Sequence, residues 1–282
     1  MTLPRPPLRE VIARHGLAAR HALGQHFLLD ANLTARIVRL AGDLGGRHVI
    51  EVGPGPGGLT RALLDSPAAS VTAIEIDPRA IAAVQELAAT DPGRLRVVAG
   101  DALALDLATL TPAPRRIIAN LPYNIATPLL IGWLRQAAAF ESLTLMFQQE
   151  VADRIAAPPG SRTYGRLSVL AQWICDVELG LRLPPAAFVP PPQVFSAVVC
   201  LTPHAVQPDP ARFAAMERLT AAAFGQRRKM LRAALRSALG PAAADLLRDA
   251  GIAPERRAET LSVAEFDRLA TLLPLSGMLH CK

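Results

Sequence analysis

His48-Val49-Ile50-Glu51-Val52-Gly53-Pro54-Gly55-Pro56-Gly57-Gly58-Leu59-Thr60 reads as a buried strand that runs directly into a glycine-rich turn. The run His48 to Val52 is short, apolar and β-branched, as a strand covered on both faces requires. The glycines of the turn let the backbone pass close under a ligand, and the helix that follows presents free N–H groups. Gly53, Gly55 and Gly58 also satisfy G-x-G-x-x-G, so a dinucleotide-binding domain is one reading. Glu51 argues for another. A carboxylate two residues before the first glycine repels a pyrophosphate and attracts an ammonium group.

Two further strands end in the same way. Val71-Thr72-Ala73-Ile74-Glu75-Ile76-Asp77 closes on acids, and an acid there can hold both hydroxyls of a ribose. Glu75 is the better candidate, because Asp77-Pro78 has the form of a helix cap with proline in the first turn. The third strand, about Leu95 to Val98, leads into Ala99-Gly100-Asp101-Ala102-Leu103. Asp101 can accept from an exocyclic amine, or simply cap. Glu51, Glu75 and Asp101 thus fall at successive strand ends, where open α/β sheets bind ligands.

Ile117-Ile118-Ala119-Asn120-Leu121-Pro122-Tyr123-Asn124 is the fourth strand and its exit. Pro122 cannot pair in a ladder and favours extended geometry at Leu121, so the chain is stiff where Asn120 and Tyr123 leave the sheet. An amide and an aromatic ring on a stiff loop suit a flat base with an amine: the ring stacks and the amide oxygen accepts. The same residues also fit a strand end with an Asx-turn and a half-buried tyrosine. The pattern is that of amino-directed nucleic-acid methyltransferases. Thr127-Pro128 is expected to start the next helix, Leu143 to Phe147 to form a fifth strand, and Gln148 to Arg154 to begin a polar helix.

At 282 residues the chain could hold one large domain or two, and no apolar stretch reaches the roughly 20 residues that span a bilayer. Apolar residues make up 51% and aromatics 4%, so the core is built from Ala, Leu, Val and Ile. No signal-peptide core opens the sequence, and a cytoplasmic protein is expected. Cys175, Cys200 and Cys281 match neither a zinc spacing nor a disulfide framework, and no metal site is expected. The net charge of +6 permits a polyanionic partner.

Residues 1–22 carry Arg5, Arg9, Arg14, His15, Arg20 and His21 against Glu10, a basic arm that can follow phosphates or remain a solvated terminus. Leu23-Gly24-Gln25-His26-Phe27-Leu28-Leu29-Asp30 precedes a helix over about Ala31 to Ala41, with Asp30 as its cap. Pro158 to Arg166 breaks the α/β pattern and is either a substrate-side loop or a plain surface loop. Pro184-Pro185-Ala186-Ala187-Phe188-Val189-Pro190-Pro191-Pro192-Gln193-Val194 forms a proline-stiffened wall. Its Phe188 either faces the ligand or plugs the core. A final strand covers Phe195 to Leu201, and Thr202 to Pro210 is the linker candidate. Beyond it the pattern is helical: about 211–223, 228–239, 242–250 and 263–273, with a Ser262/Glu265 capping box on the last. Arg227, Arg228, Lys229 and Arg232 form a basic run that is either a solvated face or a set of phosphate contacts.

Taken in order, these segments resemble the ribosomal RNA adenine N6-dimethyltransferases, and among them the bacterial small-subunit branch tied to kasugamycin sensitivity. The resemblance spans about Leu23 to Leu273. It rests on the Leu23–Leu28, Glu51–Gly57, Glu75–Asp77, Gly100–Ala102, Asn120–Tyr123 and Phe188–Pro192 stretches, together with Phe224-Gly225-Gln226-Arg227-Arg228-Lys229 and Arg257-Ala258-Glu259-Thr260-Leu261-Ser262. It implies a Rossmann-like class I methyltransferase sheet, mostly parallel with the last strand antiparallel, over residues 23–203, and a small all-helical RNA-binding domain over 211–282. S-adenosylmethionine is the implied cofactor. Gln25, His26, Leu28, Glu51, Gly53, Gly55, Gly57, Glu75, Ile76, Asp101, Ala102 and Asn120 would hold it. Asn120, Leu121, Pro122, Tyr123 and Phe188 would carry the catalysis, the two aromatic rings stacking the flipped base at roughly 1–3 kcal/mol each. The implied substrate is a pair of adjacent adenosines near the 3′ end of small-subunit rRNA, each methylated twice on an immature 30S subunit, by a monomer. The family usually has Asn where His26 stands and Lys where Gln193 stands. Three rivals follow from the same residues: a nicotinamide-dependent oxidoreductase, a large-subunit rRNA methylase of the macrolide-resistance type, and a non-catalytic ribosome-assembly factor.

Overall fold

The computed structural model describes residues 5–17 and 25–273, so Arg20, His21, Leu23, Gly24 and Cys281 lie outside the described residues. The chain forms two compact units, Met1–Ala152 with Glu178–Pro203, and Asp153–Val177 with His204–Lys282.

The first unit is built on a seven-stranded sheet. Its strands are β2 (His48–Val52), β3 (Ser70–Glu75), β4 (Leu95–Ala99), β5 (Arg115–Asn120), β6 (Ser142–Gln148), β7 (Cys175–Leu183, in this unit from Glu178) and β9 (Ser196–Pro203). The spatial order is β4-β3-β2-β5-β6-β9-β7. The β2–β3, β3–β4, β2–β5 and β5–β6 pairs are parallel, and β9 runs antiparallel to β6 with Gln148 opposite Ser196. Central strands are buried on both faces: Val49, Ile50, Ile117, Ile118, Leu143 and Leu145 have no measurable exposure. That is why they read as continuous apolar runs rather than alternating ones.

The helices of this unit follow their caps. Asp30 accepts from the amides of Asn32 and Leu33 to start α2 (Ala31–Leu40), and Asp77 accepts from Arg79 N to start α4 (Pro78–Thr90). The glycine turn delivers β2 into α3 (Gly58–Leu64). Asp106 caps the single turn of α5 (Leu107–Leu110), and α7 (Gln149–Ile155) is the polar helix expected after β6. Two elements differ from expectation. Helix α6 spans Tyr123–Leu134, with Pro122 at its cap and Pro128 inside it. The helix therefore begins directly after Pro122 rather than at Thr127. Its early start is possible because Pro122 has its fixed φ just before the first turn and no helical N–H to lose there. The second difference is a short antiparallel ribbon of β1 (Phe27–Leu28) and β8 (Phe188–Val189), pairing Leu28 with Phe188.

The basic arm is docked rather than free over the residues described. Helix α1 (Leu8–Arg14) buries Val11, which clusters with Leu17, Ala80 and Ala83. Arg5 pairs with Asp65 at 2.8 Å and Asp91 at 3.0 Å, and Arg14 pairs with Glu86 at 3.1 Å. These cations are paired with acids of the same unit, while Arg9 is exposed.

The second unit is helical: α8 (Arg166–Ile174), α9 (Pro210–Gly225), α10 (Leu231–Leu239), α11 (Ala242–Asp249) and α12 (Val263–Leu272). Its core holds an aromatic cluster, Tyr164 edge-on to Phe224 at 6.0 Å and Phe224 stacked on Phe266 at 5.6 Å. Both halves of the capping box form, Ser262 N donating to Glu265 and Glu265 N to Ser262 Oγ. The unit includes residues 153–177, which the linker at 202–210 had placed with the sheet. Tyr164 and α8 supply apolar faces that the C-terminal helices cover. Among the described residues no helix is long and apolar enough to cross a membrane.

Candidate active site

Strand order reverses at β2, which has β3 on one side and β5 on the other. Strand carboxyl ends diverge at such a point and leave a crevice. The crevice here is a cavity lined from the β2 end by Glu51, Gly53 and Gly55, from the β3 end by Glu75 and Ile76, and from beyond β4 by Asp101 and Leu103. The β5 end adds Asn120, Leu121, Pro122 and Tyr123, and the segment before α2 adds Gln25, His26, Phe27 and Leu28.

The glycine turn is packed against the β1 segment. A Cβ on Gly55 would lie 2.9 Å from the Phe27 ring, and one on Gly58 would collide with the Leu28 carbonyl. Gly55 also has φ +54°, which favours glycine. Close approach on one side leaves the backbone amides on the other. Gly55 N donates to Glu75 Oε2 at 3.2 Å, while Glu75 Oε1 accepts from Ile76 N and Asp77 N. Glu75 is thereby fixed at the base of the cavity.

Glu51 is 1% exposed, and its Oε2 is buried without a hydrogen-bond partner. Burial pushes its carboxyl up to about 8, the charge on Glu75 adding to the effect and Thr60 opposing it. A buried, unpartnered carboxyl oxygen facing a cavity is the complement of a cationic donor. The residues therefore fit the ammonium end of an amino-acid-bearing cofactor. Ile76 and Leu103, 58% and 49% exposed, offer apolar walls next to Asp101.

Asn120, at the end of β5, is held in a defined orientation at the cavity. Its Nδ2 donates to the His26 carbonyl at 3.1 Å. A carbonyl can only accept, so the contact fixes the amide orientation and turns Oδ1 into the acceptor of the site. The His26 ring contacts Pro190 O through Nδ1 at 2.9 Å and stacks on Tyr123 with centroids 5.4 Å apart. The Tyr123 hydroxyl and Ser196 Oγ share a 2.6 Å hydrogen bond that anchors the far end of the ring. What Asn120 needs from position 26 is a backbone carbonyl, so histidine in place of asparagine leaves this contact intact.

Most of the residues expected to bind a cofactor meet in this one cavity, but not all do. Gly57 is the left-handed cap of α3, and Ala102 is buried beside the cavity without lining it. Phe188 is a correction: it is 2% exposed and packs into the core with Leu28, Ile37 and Val198. Pairing with β1 turns its side chain inward and Val189 outward, so it lies in the core and outside the lining of the cavity. The basic run is also rearranged. Arg227, Arg228 and Lys229 sit in the turn between α9 and α10, not on a helix. Arg227 pairs with Glu259 at 3.0 Å and donates to the Arg162 carbonyl, and Arg232 pairs with Glu255 at 3.7 Å. Arg228 and Lys229 are exposed. The Pro158–Arg166 loop belongs to the helical unit, where Gly160 N donates to the Glu259 carbonyl at 2.7 Å. Sequence reasoning missed Leu103 and Ser196. An apolar residue two positions after Asp101 was a usable signal for the first; the second carries none, since only the fold brings it to Tyr123.

Sheet, glycine turn and switch-point cavity together define a Rossmann-like class I methyltransferase. The model of the ribosomal RNA adenine dimethylase family matches residues 16–274. The chain is 64% identical over 267 residues to ribosomal RNA small subunit methyltransferase A of Gluconobacter oxydans, covering 95% of this chain and 87% of that one. It is 61% identical to the protein of the same name from Paramagnetospirillum magneticum, covering 95% of both. Among solved structures, a dimethyladenosine transferase from Plasmodium falciparum superposes with TM-score 0.75 at 27% identity, over 86% of this chain and 96% of that one. The 23S rRNA methyltransferase ErmE gives 0.66 at 27% identity, over 87% and 98%. The chain belongs to the ribosomal RNA adenine dimethylase family, and it is an rRNA methyltransferase rather than an oxidoreductase.

Proposed function

We propose that this protein dimethylates N6 of two adjacent adenosines near the 3′ end of small-subunit rRNA, using S-adenosylmethionine, on an immature 30S subunit. The observation that carries this reading is the fixed amide of Asn120, whose Oδ1 is left to accept from an exocyclic amine. The small-subunit relatives, at 56–64% identity, favour this over the large-subunit reading. The protein acts as a monomer in the cytoplasm, where immature subunits are found.

S-adenosylmethionine supplies a methyl group already activated on a sulfonium, which needs only an aligned nucleophile. Glu51 receives the ammonium group, Glu75 the ribose hydroxyls, and Asp101 the adenine amine, with Ile76 and Leu103 against the ring. At the reacting end, Asn120 Oδ1 and the Leu121 carbonyl accept the two hydrogens of the target amine. That draws the nitrogen lone pair out of the ring and stabilises the positive charge that develops. Tyr123 stacks on the flipped base, held by Ser196 and His26. After one methylation a single hydrogen remains, so one acceptor suffices for the second transfer.

The test is incubation of purified protein with labelled cofactor and each immature subunit, followed by location of the modified bases. Label confined to paired adenosines of the small subunit is the expected result. Label in the large subunit alone would overturn it. Asn120→Ala should lose turnover by about 100-fold, the scale of one transition-state acceptor, while cofactor affinity, read by calorimetry, stays close to the parent's.

A further inference from the structure

Phe195 is a large apolar residue left 41% exposed. It immediately precedes β9, whose first residue Ser196 lies opposite Gln148 at the end of β6. Because β6 runs parallel to β2 and β5, its end lies at the ligand-binding edge of the sheet. Antiparallel β9 therefore starts at that edge. The next residue along, Ser196, is the one that holds the Tyr123 hydroxyl at 2.6 Å. Phe195 is thus one peptide away from the anchor of the catalytic ring. Its backbone is fixed, the carbonyl accepting from Gln149 N at 2.8 Å.

The ring has a cationic companion. The Arg182 guanidinium, from the neighbouring strand β7, lies 4.4 Å from the ring centroid. Arg182 is exposed and makes no ion pair among the described residues. An exposed aromatic ring carrying an unneutralised guanidinium is the equipment of a site for an unpaired nucleotide: the planar pair stacks the base and the charge faces its phosphate.

We propose that Phe195 and Arg182 form a stacking platform for the nucleotide next to the target adenosine. The inference rests on the proposed function, and it identifies a substrate contact beyond the residues that line the cavity. Drawing one of two adjacent adenosines into the cavity strips its neighbour of a stacking partner. A ring on the residue before Ser196, at the end of the sheet where Tyr123 is anchored, replaces that partner, and it serves either adenosine in turn as the pair advances by one nucleotide.

Three variants test it: Phe195→Ala, Phe195→Trp and Arg182→Gln. Phe195→Ala should raise KM for the immature small subunit about tenfold, the scale of one lost base–aromatic stack, with an unchanged dissociation constant for S-adenosylmethionine and an unchanged melting temperature. Phe195→Trp should restore KM, and its added emission, above that of Trp133 and Trp173, should be quenched by a single-stranded adenosine-rich oligoribonucleotide. Arg182→Gln should weaken both effects and flatten their salt dependence. A KM for Phe195→Ala within twofold of the parent's would overturn the platform, and so would added emission in Phe195→Trp that is indifferent to the oligonucleotide. If the parent methylated neither subunit, the proposed function would fall, and the quenching measurement would still decide whether bases stack here.

Discussion

Glu51 enters the chain as an ordinary acid and is held in the fold as a neutral one. With its carboxyl at about 8, against an ordinary value of 4.5, it keeps a proton at neutral pH that the unfolded chain has already released. The sign of the linkage follows: its contribution to stability is complete below pH 4.5 and is lost as pH rises through 8. Glu51→Gln, which cannot ionise, should therefore gain in melting temperature relative to the cofactor-free parent as pH is raised from about 5 to about 9. A difference that stays flat across that range would show that Glu51 is not the buried acid described. Cofactor binding runs the other way. An arriving ammonium group favours the carboxylate, so affinity for S-adenosylmethionine should improve as pH approaches 8, and binding near neutral pH should release a proton. Calorimetry in buffers of different ionisation enthalpy measures that proton directly. At the same scale, His26→Asn should leave turnover close to the parent's, because Asn120 is oriented by the backbone of position 26 and not by its side chain.

Among the elements, the start of α4 links the docked N-terminal helix to the cavity. Arg79 bridges two groups, donating to the Gly16 carbonyl at 2.6 Å and to both oxygens of Asp77 at 3.1 and 2.6 Å. The Arg79 guanidinium holds the Asp77 carboxyl below the usual range, and Asp77 in turn accepts from Gln25 Nε2 at 3.4 Å. Gln25 lines the cavity. Arg79→Met should raise KM for S-adenosylmethionine while leaving kcat near the parent's, and Arg79→Lys should restore part of the loss; a fall in kcat alone would place Arg79 elsewhere in the mechanism. Much of this layer was legible in the sequence. Asp30, Asp77 and Ser262 announce their helices through local side-chain-to-amide bonds that need no tertiary context. The acids at strand ends were legible for a similar reason, since a charge directly after an apolar strand can only face the sheet's edge. Phe188 was not, because a two-residue pairing with β1 decides which way it points. Nor was the start of α6, where the proline rule pointed to Pro128 although Pro122 serves as the cap.

For the whole molecule, the compact units divide the chain differently from the linker reading, and for a physical reason. Thr202 to Pro210 has the composition of a linker, and composition marks where the chain crosses between units only if each unit is continuous. Here the chain crosses near 152 and 177 as well, and both crossings fall inside regular elements, α7 and β7, with no linker composition to betray them. The consequence can be measured. Tyr164, Val169, Leu170 and Ile174 have no measurable exposure in the complete fold, and the Tyr164 ring packs on Phe224, which lies beyond the linker. A chain stopped at Pro203 would keep these side chains and lose the helices of their own unit that cover them. Each large apolar residue left in water costs about 1.5–3 kcal/mol, so four of them rival the roughly 5–15 kcal/mol that holds a typical domain folded. The truncated chain should therefore aggregate, or melt well below the parent. A second version, stopped at Pro203 and with residues 153–177 replaced by a short glycine-serine link, should be soluble, melt cooperatively and still bind S-adenosylmethionine, because among the described residues those lining the cavity fall between Gln25 and Ile125. Equal solubility and melting of the two truncations would mean that residues 153–177 do not depend on the C-terminal helices, and that the division of the chain into these units is wrong.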